Sequence, residues 1–159
     1  MLIKGITDED FLNYKVPSMF IITSFCTFKC DKENGVSCCQ NSSLANQPAI
    51  SIPNAEIIER YLKNKITHAI VFGGLEPIEQ ISDIVRFIHK LRTRYNCDDT
   101  VVIYTGFNRD EIPEVLERLS AYKNIIVKFG RFIPNSEMRF DDILGVKLAS
   151  PNQYAEVIS

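Results

Sequence analysis

Residues 69–106 read AIVFGGLEPIEQISDIVRFIHKLRTRYNCDDTVVIYTG. The run Ala69–Phe72 is short, continuously apolar and closed by Gly73-Gly74, the pattern of a strand buried on both faces. Behind it, Ile78, Ile81, Ile84, Val85, Ile88 and Leu91 recur at intervals of three and four, which gathers them on one helical face. Val101–Tyr104 repeats the apolar run and stops at Thr105-Gly106. Strand, helix and strand in that order specify a right-handed crossover between parallel strands.

The alternation extends outward in both directions. Upstream, Met19–Thr23 is an apolar, β-branched run, and Asn54 has the chemistry of an N-cap for a helix carrying Ile57, Ile58, Tyr61 and Leu62. Downstream, Asn108 with Glu111 three residues on forms a capping box ahead of Ile112, Val115, Leu116 and Leu119. Ile125–Val127 is the next strand, ending at Phe129-Gly130, and Ile143–Leu148 adds one more. The expected fold is α/β, a partial (β/α) barrel or an open curved parallel sheet, because these units are too few to close an eight-stranded barrel. Residues 1–16 read as an N-terminal extension packing on a single domain over residues 17–159.

At 159 residues, 45% hydrophobic and 24% charged, the chain has the apolar material for one filled core and the composition of a globular protein. The net charge of −2 and the placing of Arg86, Lys90, Arg92 and Arg94 among apolar residues at helical spacing describe a solvated helix face. Nucleic-acid binding is not expected on that pattern. No apolar run approaches the ~20 residues that span a bilayer. Asp8, Glu9 and Asp10 lie close behind the start, so no membrane association and no secretory signal are expected. The predicted setting is soluble and cytoplasmic.

Parallel α/β sheets bind ligands at the carboxyl ends of their strands. The unusual residues of this chain sit at those ends: a long polar loop over residues 24–53, Gly73-Gly74-Leu75-Glu76-Pro77, Tyr104-Thr105-Gly106 and Lys128-Phe129-Gly130. The loop holds Cys26, Cys30, Cys38 and Cys39, four of the five cysteines within 14 residues. An odd count so concentrated argues for metal or redox chemistry rather than a disulfide framework. Cys97 stands apart as an incidental thiol, and His68 and His89 lie far along the chain on a strand and a helix and are given no role. Zinc sites pair Cys-x2-4-Cys with a second pair or with histidines downstream, which is not the spacing here. Thiolates also suit iron–sulfur clusters. Adjacent Cys38 and Cys39 are poorly placed to ligate two irons of one cube, so three thiolates and one open iron is the favoured arrangement.

Cys26-x3-Cys30 with Phe28 inside it, followed later by Cys39-Gln40-Asn41, resembles the Cys-x3-Cys-x2-Cys motif of the radical S-adenosylmethionine superfamily and its frequent Asn ending. The second gap is stretched here to eight residues, or to seven if Cys38 is counted instead. Gly73-Gly74-Leu75-Glu76-Pro77 resembles that superfamily's Gly-Gly-Glu-Pro segment with Leu75 added. Tyr104-Thr105-Gly106, Phe129-Gly130-Arg131-Phe132 and Ala149-Ser150-Pro151-Asn152-Gln153 resemble segments of the activating proteins of anaerobic ribonucleoside-triphosphate reductases, with Lys128 where an acidic residue is common. The segments occur in the family's order from about Met19 to Gln153.

The resemblance implies a radical-SAM-like domain in which Cys26, Cys30 and Cys39 hold a [4Fe-4S] cluster, with Cys38 as the alternative third ligand. It implies S-adenosylmethionine contacts from Phe28, Gly73, Gly74, Glu76, Pro77, Tyr104, Thr105, Lys128 and Asn152. It implies a glycyl-radical activase, with an anaerobic ribonucleotide reductase as partner, a flavodoxin or ferredoxin as electron donor, and a partner surface over residues 131–142. Two other readings remain at this point. One is a different radical enzyme acting on a small molecule or peptide; the other is a non-enzymatic iron–sulfur or zinc module for electron transfer or binding.

Overall fold

The computed structural model describes all 159 residues. In chain order come strands β1 (Leu2–Asp10) and β2 (Ser18–Thr23), short helices α1 (Lys29–Asn34) and α2 (Ser42–Ala45), and strand β3 (Ile50–Ser51). Helices and strands then alternate as α3 (Asn54–Lys63), β4 (Ala69–Gly73), α4 (Ile81–Thr93), β5 (Thr100–Tyr104), α5 (Pro113–Ser120) and β6 (Ile125–Phe129). Three short strands finish the chain: β7 (Arg139–Asp141), β8 (Val146–Leu148) and β9 (Tyr154–Val157).

Seven strands make one mixed sheet in the order β3-β1-β2-β4-β5-β6-β9. Its centre is the expected parallel run, β2 to β4 to β5 to β6, with Phe20 beside Val71, Val71 beside Val102 and Val102 beside Ile126. The edges are antiparallel: β1 on β2, β3 on β1, and β9 on β6. The domain is thus α/β with an open mixed sheet. Leu2–Asp10, read from sequence as part of an extension, forms a strand of that sheet.

Successive parallel strands are neighbours in space and always step the same way. Right-handed crossovers then put every connecting helix on the same face. Ile70 and Phe72 point to that face and share a core with Ile57, Ile58 and Tyr61 of α3, Ile84, Phe87, Ile88 and Leu91 of α4, and Leu116 and Leu119 of α5. The alternate residues Ala69, Val71, Val102 and Ile126 face the other way onto a smaller cluster with Tyr14, Leu144 and Leu148. Two non-helical segments therefore roof the second face, one before β2 and one around β8. This asymmetry leaves the carboxyl ends of the strands open on the side of the thin roof.

Local details differ from the sequence reading in three places. Asn54 is the first residue of α3 rather than its cap, because Pro53, with φ −58° and ψ 137°, takes the cap position. The Glu111 arm of the capping box forms, its carboxylate accepting from the Asn108 N–H at 2.7 Å, but it opens a 3-10 turn over Arg109–Glu111 and α5 begins at Pro113. Val146–Leu148 does not join the main sheet; it pairs with β7 in a separate two-stranded ribbon. No helix is long and apolar enough to cross a membrane.

Candidate functional site

The parallel strands end on one rim. Cys26 follows β2, Glu76 follows β4, Thr105 follows β5, and Lys128 is the next-to-last residue of β6. Glu76 binds the strand ends together. Its Oε1 accepts from Thr105 Oγ1 at 2.7 Å and from the Ile78 N–H at 3.0 Å, and its Oε2 accepts from the Gly106 N–H at 2.9 Å. Burial pushes its pKa up against these three bonds. Gly74, at φ +84°, turns the chain out of β4; a Cβ there would stand 2.6 Å from Ile22 Cγ2, so this turn requires glycine. Glu76→Gln is expected to destabilise the fold by about 1–3 kcal/mol, since the amide nitrogen turns a donor toward a buried donor. Chemical denaturation of the cluster-free protein reads that loss.

The cysteine loop is fastened to this rim at several points. The Glu76 N–H donates to Phe25 O at 2.7 Å, and Gln80 Oε1 accepts from the Ser24 N–H at 2.8 Å and its hydroxyl at 3.0 Å. Glu79 accepts from the Thr27 N–H and hydroxyl at 2.9 and 2.5 Å. Helix α1, which carries Cys30, is held through Glu33 and Asn34. Arg131 is buried, grips Glu111 with two bonds of 2.7 and 2.6 Å, and has its Nε 3.0 Å from Glu33 of α1. Asn34 Nδ2 donates to Cys30 O at 2.8 Å and to Phe132 O at 3.2 Å.

Between loop and rim lies a cavity of about 290 Å³. Cys26, Cys30 and Cys39 all line it, whereas Cys38 does not. Gly74, Glu76, Tyr104, Thr105 and Lys128 supply the strand-end wall. Gly106 adds a flat spot at the thiols: a Cβ there would lie 3.7 Å from Cys30 Sγ and 3.4 Å from Glu76 Oε2. Of the other predicted contacts, Phe28, Gly73, Pro77 and Asn152 lie off the cavity. Phe28 caps α1 in the left-handed region, and the Gly73 carbonyl accepts from Thr23 Oγ1 at 3.1 Å. Pro77 is buried at the start of a 3-10 turn, and Asn152 Nδ2 donates to Arg131 O at 2.9 Å.

Burial dominates the electrostatics of the cavity. It pushes the Cys26 thiol up to about 12, with Glu76, Glu79 and Cys39 adding to the rise, and it raises Cys39 as well. It also lowers the Lys128 ammonium to about 8, against the opposing pull of Glu76 and Cys30. Lys128 Nζ donates to Gly130 O at 3.0 Å and sits 5.9 Å from the Tyr104 ring centroid. No three His, Cys, Asp or Glu side chains converge on one point suited to a single metal ion. Thiols that ligate a cube bind separate irons and need not converge so.

A family model describing a 4Fe-4S single cluster domain matches residues 17–147. The chain belongs to that family. No curated protein matches it. For a 4Fe-4S single cluster domain the donor set is chemically apt: three soft thiols line one cavity, with a buried lysine in the same lining. Residues 17–147 include the cysteine loop and the carboxyl ends of β2, β4, β5 and β6.

Iron binds thiolates, and Cys26 and Cys39 hold their protons more tightly than an ordinary thiol. Loading the site therefore releases protons, and cluster uptake is expected to rise from about pH 7 to about pH 9. Visible absorbance during anaerobic reconstitution measures this. Uptake that is flat or falls over that range contradicts protonated thiols at the site.

The sequence reading missed part of the cavity wall. Leu12 and Asn13, from the segment before β2, and Lys147 and Leu148, from the β7–β8 ribbon, complete it. Tyr104 is anchored to the first of these segments, its hydroxyl donating to Asn13 O at 2.5 Å. No local pattern signals these residues, because they reach the site through the roof packing on the second face of the sheet. Gln153 was within reach of a pattern: it lines the cavity beside the predicted Asn152, and its Nε2 donates to Gly130 O at 3.2 Å.

Proposed function

We propose that this chain is a radical-generating activase that uses a [4Fe-4S] cluster to cleave S-adenosylmethionine and passes the radical to a glycine of a partner enzyme. The observation that carries the reading is the joint lining of one cavity by three thiols, with the fourth outside it, and by the strand-end residues Gly74, Glu76, Thr105 and Lys128. A cluster held only for electron transfer has no use for that second wall. At about 290 Å³ the space is at the small end for a small-molecule site.

In this reading Cys26, Cys30 and Cys39 would hold the cluster. When bound and reduced, such a cluster supplies one electron to the sulfonium of S-adenosylmethionine, which releases methionine and a 5′-deoxyadenosyl radical. The protein's part is to bind and orient. The left-handed turn at Gly74 brings backbone to the cavity without a side chain. Glu76, pinned by Thr105 and Gly106, keeps one lone pair of Oε2 for an ammonium. Lys128 offers a buried cation to a carboxylate, with one of its three N–H donors on Gly130 O. The outcome would be loss of a hydrogen atom from a glycine Cα of the partner, leaving a glycyl radical there with 5′-deoxyadenosine as co-product.

The partner proposed is an anaerobic ribonucleotide reductase, with a flavodoxin or ferredoxin as donor and the reducing cytoplasm as the setting. Exposed Ile133, Met138 and Phe140, in the segment between the lining residues Phe132 and Val146, supply apolar surface for such a partner. The test is anaerobic reduction of the reconstituted protein with S-adenosylmethionine, followed by assay for 5′-deoxyadenosine. Product made by the wild type and lost in Cys26→Ala supports the reading. A stable cluster that makes no product contradicts it and leaves an electron-transfer module.

A further inference from the structure

Eight residues separate Cys30 from Cys39, so the third thiol reaches the site on a long tether. Ordering such a tether costs chain entropy, and something must hold its end. One side chain does. Asp31, the residue after Cys30, accepts the N–H of Cys38 and the N–H of Cys39 on the same Oδ1, each at 2.9 Å. The Cys38 thiol also donates to that oxygen, at 3.4 Å, and Asn34 Nδ2 approaches Cys38 Sγ at 3.6 Å. With Cys38 turned onto α1 in this way, Cys39 is the one of the adjacent pair that lines the cavity.

We infer that Asp31 is a positioning residue that selects the third cluster ligand, presenting Cys39 to the cavity and withholding Cys38. The carboxylate sits one residue from Cys30 and clasps the far arm of the loop, so the two thiols on either side of the tether are set by one turn of α1. Cys38 then stays a thiol bonded to Asp31 while Cys39 takes the iron. The inference rests on the assignment of these thiols to a cluster and is independent of what the cluster does.

The test compares wild type with Asp31→Ala, Asp31→Asn, Cys39→Ser and the double variant Asp31→Ala/Cys39→Ser. Each is reconstituted anaerobically, challenged with a chelator, and read by iron and sulfide content and by the electron paramagnetic resonance of the reduced state. Asp31→Ala is expected to hold iron about tenfold more weakly, the low end for loss of a group that orients a ligand. Asp31→Asn keeps an acceptor oxygen for both N–H groups and is expected to retain most of the cluster. Cys39→Ser loses it, and the double variant regains a cluster through the freed Cys38, with a changed resonance. A merely structural role for Asp31 predicts the double variant to be the emptiest of all.

Asp31→Ala as fully loaded as wild type, or a double variant no better than Cys39→Ser, overturns the inference. Asp31→Ser, whose hydroxyl is too short to reach both N–H groups, repeats the comparison should alanine unfold α1. A wild-type chain that takes up no cluster overturns the ligand assignment itself. That result is distinct from a loaded wild type matched by a loaded Asp31→Ala.

Discussion

Cys30→Ala is expected to abolish cluster assembly, leaving no visible absorption after anaerobic reconstitution and no iron or sulfide above background. The loss should exceed the ~10–100-fold that removal of an outer, orienting partner costs, because a ligand itself is gone. The one loop cysteine off the cavity is Cys38, and it is engaged with Asp31 and Asn34 through its Sγ, so it is held from serving as a substitute. Nor is the rest of the site expected to shift to compensate, because α1 is tied to Arg131 through Glu33 and to Phe132 O through Asn34. The apo fold should survive, since Cys30 contributes no core contact and α1 has no buried residue. Unchanged circular dichroism with lost iron is the expected pair of results. A Cys30→Ala variant that retains a full cluster contradicts the ligand set.

The second large effect is on stability. Gly130 has φ +96°, outside the range that L side chains accept readily, and a Cβ there would lie 2.9 Å from Asn152 O and 3.2 Å from Gln153 Cα. Both neighbours are backbone, so no side chain can rotate away. The carbonyl of Gly130 accepts from Lys128 Nζ and Gln153 Nε2, and its N–H donates to Phe107 O at 3.1 Å. Shifting it disturbs the end of β6 and the connection to β9 together. Gly130→Ala is expected to cost roughly 3 kcal/mol, in the range of strain at a special backbone position plus local repacking. For a domain of this size that lowers Tm by about 6–12 °C. Calorimetry of the cluster-free protein measures it, and a Tm within a degree or two of wild type contradicts the strain.

What could be read from the sequence follows the range of each signal. Ala69–Phe72, Val101–Tyr104 and Ile125–Val127 announced themselves because a strand in a parallel centre is buried on both faces and reads as a continuous apolar run. Leu2–Asp10 did not. It is an edge-side antiparallel strand with register shifts on either side of Gly5–Thr7, and it mixes the charged Lys4, Asp8 and Glu9 with a buried Asp10. The pairing of Tyr154–Val157 with β6 was missed for a related reason: four residues with one exposed face carry almost no periodicity. Phe87, fully buried against Phe72 with ring centroids 5.3 Å apart, belonged to the α4 face that the reading drew through Val85 instead.

The site was legible where one segment carries its own chemistry. Four cysteines in 14 residues, and the glycine pair ahead of Glu76, need no partner to be conspicuous. The role of Glu76 as a clasp across β4 and β5 was not visible, since it depends on Thr105 and Gly106 lying opposite in register. Asp31 was passed over as one more charge in a polar loop. Its function arises only when the tether folds back to put two N–H groups on one oxygen.

The most direct test of the account is whether the cluster has an open iron facing the cavity. The reduced, reconstituted protein is to be examined by electron paramagnetic resonance before and after S-adenosylmethionine is added. The account predicts that the signal changes on addition and saturates with the ligand, as expected of a cluster held by three thiolates. A cluster signal that S-adenosylmethionine leaves untouched would contradict it and point to an iron–sulfur centre whose coordination is already complete.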